Sequence, residues 1–354
     1  MRRSPRLALR VAFVTVGDTA RLTGGYLYNR RLLDGLEKSG VEVEEVVPCG
    51  ADPAEQAGAA PGLGRDLDPS GHDVVVVDAL ARIVVAPHLD RWRSVRPVIS
   101  LVHELPGVAD PKTADRELPF EGPLLRADRL VAVSGHGREI LLGRGVPASR
   151  VAVVQPGFDG LDPGPGRSCG GGDTRVLCVG QWIPRKGILD LAQAWRAEER
   201  PGTVLDLVGE SDADEGYAAK VLEVSSGDPS ILVHGRVDDA TLADLYASAD
   251  LFALPSRYEG YGIVYAEALS FGLPVVACAV GPVPDVVGAE AALLVGSGDR
   301  RALSRALGRL LSDAGLREKM SAAALRRAAG LPRWTETVER FLGVLRDAVG
   351  GRGR

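Results

Sequence analysis

Short apolar runs alternate along the chain with longer segments in which apolar residues recur at helical spacing. The run Val74-Val75-Val76-Val77 is one of several that are rich in β-branched residues and end at a polar residue, a glycine or a proline. Such runs are typical of strands buried on both faces, whereas the segments between them are typical of amphipathic helices. The alternation predicts an α/β protein whose parallel sheets are covered by helices on both sides.

The pattern assigns a set of strands and helices to each half of the chain. In the first half it predicts strands over 7–14, 41–47, 73–78, 97–103, 129–134 and 151–154, a helix over 26–39, and a helix to Leu142 capped by Ser134. In the second half it predicts strands over 175–179, 204–208, 231–234, 251–254 and 275–278, and helices over 188–198, 241–247, 263–270, within 300–329 and over 334–349.

A stretch rich in glycine and proline separates the two halves. Residues 156–173 show no apolar period, which indicates a linker, and 354 residues are too many for one ordinary domain. We therefore predict a Rossmann-like domain over 1–155, a second over 174–333, and a C-terminal helical segment over 334–354. Residues 51–71, rich in Ala, Gly and Pro, are predicted to be a mobile excursion.

Composition excludes several classes of protein. The net charge of −5 lacks the basic balance of a nucleic-acid-binding protein, so no nucleic-acid partner is expected. The four cysteines show no C-x-x-C spacing and are expected to be reduced thiols rather than zinc ligands. No signal peptide or membrane span follows the basic start, which predicts a cytoplasmic location and leaves peripheral membrane contact open.

The most informative segment runs from Pro255 to Glu267. A short buried strand is predicted to end at Pro255, and a helix is predicted to begin near Gly262. Glu259 then lies in the loop and Glu267 about two turns into the helix, with Gly260 and Gly262 allowing a ligand close to the backbone. A helix N-terminus between two carboxylates suits a ligand with a phosphate at one end and hydroxyls along its length.

This segment resembles the Glu-x7-Glu signature of retaining glycosyltransferases of family four, in its setting Pro-Ser-x-x-Glu-Gly-x-Gly and Glu-Ala-Leu-Ser-x-Gly. The resemblance implies the GT-B fold, two facing Rossmann-like doubly wound domains with a C-terminal helix that crosses back to the first. It also implies that Glu259 contacts the donor sugar, that Glu267 holds the ribose, and that the segment Gly260, Tyr261, Gly262 and Ile263 lies at the donor.

Two further loops of the second domain are similar to motifs of that family. The segment Gly180–Gly187 resembles Gly-Arg-x-x-x-x-Lys-Gly, with Lys186 on its lysine, which binds the donor diphosphate, and Gln181 in place of its arginine. Arg185 stands beside Lys186 and can compensate for the missing arginine. The turn at Arg236 and Val237 resembles the one whose backbone meets the nucleobase.

The first domain carries fewer matched residues. His103 ends a predicted strand where family members carry a histidine that approaches the donor sugar, and Gly24-Gly25 matches a glycine loop near the donor phosphate or the acceptor. The resemblance covers residues 174–300 closely, but covers the first domain mainly in its layout. The first domain is implied to bind the acceptor, whose identity is open between a small molecule, a glycan and a lipid-linked compound.

These residues predict a retaining, metal-independent glycosyltransferase that moves a hexose-type sugar from a UDP- or GDP-sugar to an acceptor hydroxyl. No Asp-x-Asp pair is predicted at a strand end, so no metal and no other cofactor is expected, and the nucleotide-sugar is a substrate. Two alternatives remain open: a sugar-nucleotide epimerase of the same fold, and a non-catalytic subunit that binds a sugar nucleotide, which the loss of arginine at Gln181 mildly favours.

Overall fold

The computed structural model describes residues 8–19, 21, 23–50, 52–162, 172–198 and 201–351. It divides into two compact units, a first unit of Met1–Pro156 with Trp334–Arg354, and a second unit of Gly157–Arg333. The predicted linker over 156–173 falls partly outside the described residues, since 163–171 are not among them. Within the described residues no helix is both long and apolar enough to cross a membrane.

The first unit is built on a six-stranded parallel sheet in the order β2-β1-β3-β4-β5-β6. Every residue of its two central strands β3 and β4 is buried, which explains why both are apolar apart from Asp78 and Ser100. The strands are β1 (Arg10–Val14), β2 (Glu42–Val46), β3 (Val74–Asp78), β4 (Val98–Val102), β5 (Arg129–Ala132) and β6 (Val151–Val153).

Seven helices connect these strands in the described part of the first unit. They are α1 (Gly24–Lys38), α2 (Pro53–Asp66), α3 (Arg82–Val85), α4 (Leu89–Val95), α5 (Pro106–Ala109), α6 (Ala114–Leu125) and α7 (Gly135–Gly143). Ser134 caps α7 as predicted, because its hydroxyl accepts a hydrogen bond from the Gly137 amide at 2.9 Å.

The prediction of a mobile excursion over 51–71 is wrong. Residues Pro53–Asp66 form α2, whose start is a capping box: the Asp52 carboxylate accepts from backbone amides and the Glu55 side chain returns to the Asp52 amide. Pro53 occupies a first-turn position where proline is favourable, and the helix also accommodates Pro61 in its interior. Leu63 is buried, so α2 joins the core of the first unit.

The second unit repeats the architecture with a six-stranded parallel sheet in the order β12-β11-β10-β7-β8-β9. Its strands are β7 (Thr174–Val179), β8 (Thr203–Val208), β9 (Ile231–Gly235), β10 (Leu251–Leu254), β11 (Val275–Cys278) and β12 (Ala292–Val295). Its helices are α8 (Ile188–Arg196), α9 (Glu215–Ser225), α10 (Asp239–Ser248), α11 (Ile263–Ser270), α12 (Val283–Val287), α13 (Arg300–Ser312) and α14 (Ala314–Ala328). The sequence pattern did not assign α9, α12 or β12.

The last helix, α15 (Trp334–Gly350), belongs to the first unit although it follows the second in the chain. It packs along α1: Val338 lies against Gly35, where a side chain on the glycine would collide with it. The Trp334 ring meets the Tyr28 ring edge-on at 5.8 Å, and the Thr337 hydroxyl donates to the Gln155 carbonyl at 2.8 Å. The predicted return of the C-terminal helix to the first domain is confirmed.

Candidate active site

The second unit has one point where the strand order reverses, between the neighbouring strands β7 and β10. In open parallel sheets ligands bind beyond the carboxyl ends of the strands at such a point, because the connecting loops diverge to opposite faces there. The two loops that leave these strands are 180–187 and 255–262, and they carry half of the predicted site residues.

An ion pair joins these two loops. Lys186 Nζ lies 2.8 Å from Glu259 Oε1, and both side chains are largely buried, with 14% and 5% of their surface exposed. The Ser256 hydroxyl donates to the same carboxylate oxygen at 2.7 Å and is itself fully buried. The predicted lysine and the first predicted glutamate are therefore in direct contact, and two donors fix one oxygen of the carboxylate.

Backbone contacts hold the two loops in this register. The Arg257 amide donates to the Arg185 carbonyl at 2.7 Å, and Gly187 adopts a left-handed conformation with φ of +70°. A side chain at Gly187 would collide with the Pro255 carbonyl, so only glycine permits this approach of the loops. Gly187 also precedes α8, so Lys186 stands at the N-terminus of that helix.

The charges around Glu259 keep it ionised. Burial acts to raise the pKa of Glu259, but the charges of Lys186 and Arg185 and the hydrogen bonds from Lys186 and Ser256 outweigh it, so the pKa lies below its usual value. Arg185 also reaches the Tyr258 carbonyl with its guanidinium at 3.4 Å. The pair thus presents a carboxylate next to a cation in a mostly buried setting, which can bind a hydroxyl and a phosphate side by side.

The rest of the second loop shapes the start of α11. Gly262 has φ of +89°, and a side chain there would come within 2.5 Å of the Tyr265 ring. Gly260 is partly exposed, and Ile263 opens the helix as a buried residue. Tyr261 is 4% exposed, and burial raises the pKa of Tyr261 to about 12.

Glu267 lies in the second turn of α11 and is 5% exposed. The Tyr246 hydroxyl of α10 lies 3.2 Å from Glu267 Oε2. Burial and the nearby Glu267 charge raise the pKa of Tyr246 well above its usual value, so its hydroxyl stays protonated and donates to the carboxylate. Glu267 is thereby fixed on one side by a neutral partner, in contrast to Glu259.

The remaining predicted donor residues lie at the same edge of the sheet. Gln181 is partly exposed just after β7, and Gly235 at the end of β9 has φ of +68°, which turns the chain into Arg236 and Val237. The Arg236 guanidinium lies 3.6 Å from Glu210 Oε1, and half of its side chain is exposed.

The first unit has its own reversal of strand order, between β1 and β3. Gly24 and Gly25 begin α1 near it, and a side chain on Gly25 would lie 3.6 Å from the His103 ring and from Leu80. His103 follows β4, its Nε2 lies 3.0 Å from Asn29 Oδ1, and its side chain is 11% exposed. Burial lowers the pKa of His103, which Asp78 and Glu104 only partly oppose.

Among the polar residues of these sites that were not predicted from the sequence are Asp78 and Ser256, besides Tyr246 described above. Asp78 is fully buried at the end of β3 and Ser256 at the start of the loop after β10. Asp78 could have been found because it is the one acidic residue closing a β-branched strand, at the edge where ligands bind. Within the described residues no group of three or more His, Cys, Asp or Glu side chains is arranged to hold a metal ion.

Comparison with known proteins places this architecture in a family. The model of the family "Glycosyl transferases group 1" matches residues 173–313. The D-inositol 3-phosphate glycosyltransferase of Kineococcus radiotolerans is 33% identical over 74% of this chain and 68% of its own. D-inositol 3-phosphate glycosyltransferase 1 of Catenulispora acidiphila is 30% identical over 87% of this chain and 82% of its own. This chain belongs to the glycosyl transferases of group 1.

Solved structures agree on the fold. Sucrose-phosphate synthase of Thermosynechococcus elongatus superimposes with a TM-score of 0.79 at 22% identity, covering 97% of this chain and 100% of the other. The HepE protein of Anabaena, solved with UDP and glucose, gives 0.76 at 18% identity over 95% and 99%. The predicted GT-B fold class is confirmed, and the protein is a glycosyltransferase.

Proposed function

We propose that this glycosyltransferase transfers a hexose-type sugar from a UDP- or GDP-sugar to an acceptor hydroxyl with retention of anomeric configuration. The second unit binds the donor and the first unit binds the acceptor. The observation that carries the proposal is the largely buried Lys186–Glu259 pair, which joins the two loops at the strand-order reversal of the second unit.

The pair suits a sugar attached to a diphosphate. Lys186 Nζ has three N–H donors, so it can bond a diphosphate oxygen while it still bonds Glu259. Its position before α8 adds the amide groups of a helix N-terminus, which attract phosphate. Because Lys186 and Ser256 both donate to Glu259 Oε1, Oε2 is the oxygen that accepts from a hydroxyl of the sugar.

The other predicted residues then divide the donor between them. Glu267, held by Tyr246, accepts from the ribose hydroxyls, and the backbone at Arg236 and Val237 meets the nucleobase. Gln181 and Arg185 stand near the diphosphate, and the Gly260–Ile263 backbone adds amides at the start of α11. His103 presents its ring to a substrate hydroxyl beside Gly24 and Gly25.

We propose that the leaving diphosphate is stabilised by Lys186 and the helix N-termini without a metal ion. The charge on the diphosphate grows as the bond to the sugar breaks, and fixed donors in a partly dry site stabilise such charge well. In a retaining reaction of this kind the acceptor hydroxyl attacks from the face on which the phosphate departs. The bond from the sugar to the phosphate breaks, the bond to the acceptor oxygen forms in its place, and the departing phosphate takes the hydroxyl proton.

The deciding experiment incubates the protein with a panel of UDP- and GDP-sugars and measures free nucleoside diphosphate with and without acceptors. D-inositol 3-phosphate is the first acceptor to test, because two similar relatives are named for it. The anomeric configuration of the product, measured by proton NMR, tests retention. A matched series with excess chelator is expected to retain full activity, and loss that added magnesium or manganese restores would contradict metal independence.

The alternatives give different outcomes in the same experiment. An epimerase would convert the sugar nucleotide without any acceptor and release a rearranged sugar. A non-catalytic subunit would bind a sugar nucleotide by calorimetry and release no nucleoside diphosphate with any acceptor. Acceptor-dependent release of the nucleoside diphosphate with a retained configuration supports the transferase.

A further inference from the structure

A chain of buried hydrogen bonds runs beneath His103 in the first unit. It begins at Asp78, which is fully buried at the end of β3. Its carboxylate accepts from the Thr15 hydroxyl at 3.0 Å, from the Leu80 amide at 2.9 Å and from Asn29 Nδ2 at 2.5 Å. Three donors on one carboxylate satisfy a buried charge that would otherwise be costly.

The direction of these bonds fixes the orientation of Asn29. A carboxylate without a proton only accepts, so the amide must present its NH2 group to Asp78 and its oxygen to His103. The Asn29 oxygen in turn only accepts, so the proton between it and His103 Nε2, 3.0 Å away, belongs to the histidine.

The ring is consequently held in one neutral form. Burial lowers the pKa of His103, while the charges of Asp78 and Glu104 oppose this. Asp78 lies 3.9 Å from His103 Nε2, beyond hydrogen-bond distance, so an amide stands between the acid and the imidazole. A carboxylate in direct contact would favour the charged ring, whereas the amide selects a tautomer without adding a full charge.

We propose that Asn29 and Asp78 are positioning residues that hold His103 as its Nε2–H tautomer, so that Nδ1 accepts a hydrogen bond from a substrate hydroxyl. The role toward substrate rests on the proposed glycosyl transfer, whereas the tautomer is a property of the free protein. Among the described residues, no side chain and no backbone amide donates a hydrogen bond to His103 Nδ1.

The tautomer is measured directly on the whole protein labelled with 15N-histidine, by two-bond correlations between ring nitrogens and ring protons. His103→Gln assigns the signals of this ring. His88 is an internal reference, because its Nε2 bonds the Ala60 carbonyl at 2.8 Å and must carry a proton. We expect both rings to show the Nε2–H pattern, and an Nδ1–H pattern or a charged ring at His103 at pH 7.5 would overturn the proposal.

Two substitutions test the cause. Asn29→Leu removes the acceptor and is expected to give a mixed tautomer population at His103 with no change at His88. Asn29→Asp places a carboxylate in direct contact with Nε2–H and is expected to favour the charged ring, with protons on both nitrogens at the same pH. If Asn29→Leu left the His103 spectrum unchanged, the amide would not select the tautomer. The wild-type measurement stands even if a variant fails to fold.

A second readout separates positioning from general structural damage. Asn29→Leu is expected to weaken binding of the nucleotide-sugar, or to lower turnover, by about three- to tenfold, the range for one neutral hydrogen bond. The affinity for the free nucleoside diphosphate, which lacks the sugar, is expected to stay within twofold of wild type. An equal loss for both ligands would contradict the proposal. Failure of every donor to react, with the tautomer as expected, would instead count against the proposed function alone.

Discussion

Each unit carries a polar site at the strand-order reversal of its sheet, but the site of the second unit is an ion pair and that of the first unit centres on a neutral histidine. In the second unit a largely buried ion pair, Lys186 and Glu259, joins two loops at the strand-order reversal. In the first unit the reversal is lined by a relay in which a neutral amide, Asn29, separates Asp78 from a neutral His103. Under the proposed function, the charged site of the second unit suits the charge that develops on the leaving group, and the neutral histidine of the first unit suits a hydroxyl group.

The largest effect is expected at the charged site. Lys186→Ala removes a charge-assisted bond worth about 1.5–3 kcal/mol in the ground state, and more where the leaving-group charge develops. It also leaves the Glu259 carboxylate without its ion-pair partner. We expect turnover to fall at least about a hundredfold, since each 1.36 kcal/mol is tenfold. Steady-state kinetics with the true donor measures it.

Arg185→Ala is the matched control for that experiment. It removes a neighbouring positive charge but leaves the Lys186–Glu259 contact, so it is expected to cost much less than Lys186→Ala. A larger loss of turnover for Arg185→Ala than for Lys186→Ala would identify Arg185 as the phosphate ligand. The alignment of residues 180–187 with the family motif would then be wrong by one residue.

The two carboxylates of the second unit are expected to fail in different ways. Glu259→Gln weakens the acceptor for the sugar and the anchor of Lys186, so turnover should fall by roughly 10- to 100-fold. Glu267→Gln should mainly raise KM and weaken nucleotide binding, because Glu267 faces the ribose in the proposed function. Kinetics and calorimetry on both variants check this, and wild-type behaviour of both would mean that the donor lies elsewhere.

A gain is expected at Gln181. The family motif has arginine at this position, so Gln181→Arg adds a second cation where a diphosphate with about two negative charges is proposed to bind. We expect nucleoside diphosphate binding to tighten by a few-fold to about tenfold. Titration calorimetry at two salt concentrations measures it, and Gln181→Leu serves as the uncharged comparison. Weaker binding by the arginine variant would show that this loop does not face the diphosphate.

The smallest expected effect is on the free energy of unfolding as a function of pH. His103 and Glu259 are expected to contribute to it in different pH ranges. Burial lowers the pKa of His103 below its usual 6.5, so near pH 6 the unfolded chain binds more protons at this residue than the folded one. Its contribution to stability is therefore complete above pH 6.5 and is lost as the pH falls through that value. Asp78 and Glu104 are the charges that oppose the shift.

Glu259 acts in a lower range. Its pKa in the folded state lies below the usual 4.5, so its contribution is present above that value and is lost as the pH falls further. Urea unfolding of wild type, His103→Gln and Glu259→Gln between pH 7.5 and 3.5 measures both. We expect His103→Gln to flatten the curve between pH 7 and 5.5 and Glu259→Gln to flatten it only below pH 4.5. Identical slopes for all three proteins would refute both assignments.

The same comparison explains which parts could be predicted from the sequence. The second unit's site lies on two contiguous loops, and each loop is a motif in which a glycine turn and a charged residue stand at fixed spacing. Lys186 and Glu259 could therefore be proposed separately, although only the fold shows that they are paired. The first unit's relay draws on α1, β3 and the loop after β4, and no local pattern links Asn29 to Asp78.

The prediction failed at α2, because glycine and proline are typical of irregular segments but can also be accommodated in a helix. In α2 the composition indicated an irregular segment, but the capping box at Asp52 and Glu55 was visible as a Ser/Thr/Asp-x-x-Glu pattern. Gly64 is required there because the His88 ring packs against it, which only the tertiary structure reveals. Short apolar runs were sufficient to predict most strands of the two sheets, because buried parallel strands are nearly continuous apolar runs.

The position of α15 has a consequence for how this protein is made. A ribosome completes all six strands of the first unit before it begins the second, yet the helix that covers α1 emerges only after Arg333. At about 5–20 residues per second, translation of the intervening unit takes roughly 10–35 s. During that time the groove that later receives Val338 and Trp334 is uncovered, whereas the second unit is contiguous and can fold as soon as it emerges. The first unit is thus begun first, but it is the last to receive all of its secondary-structure elements.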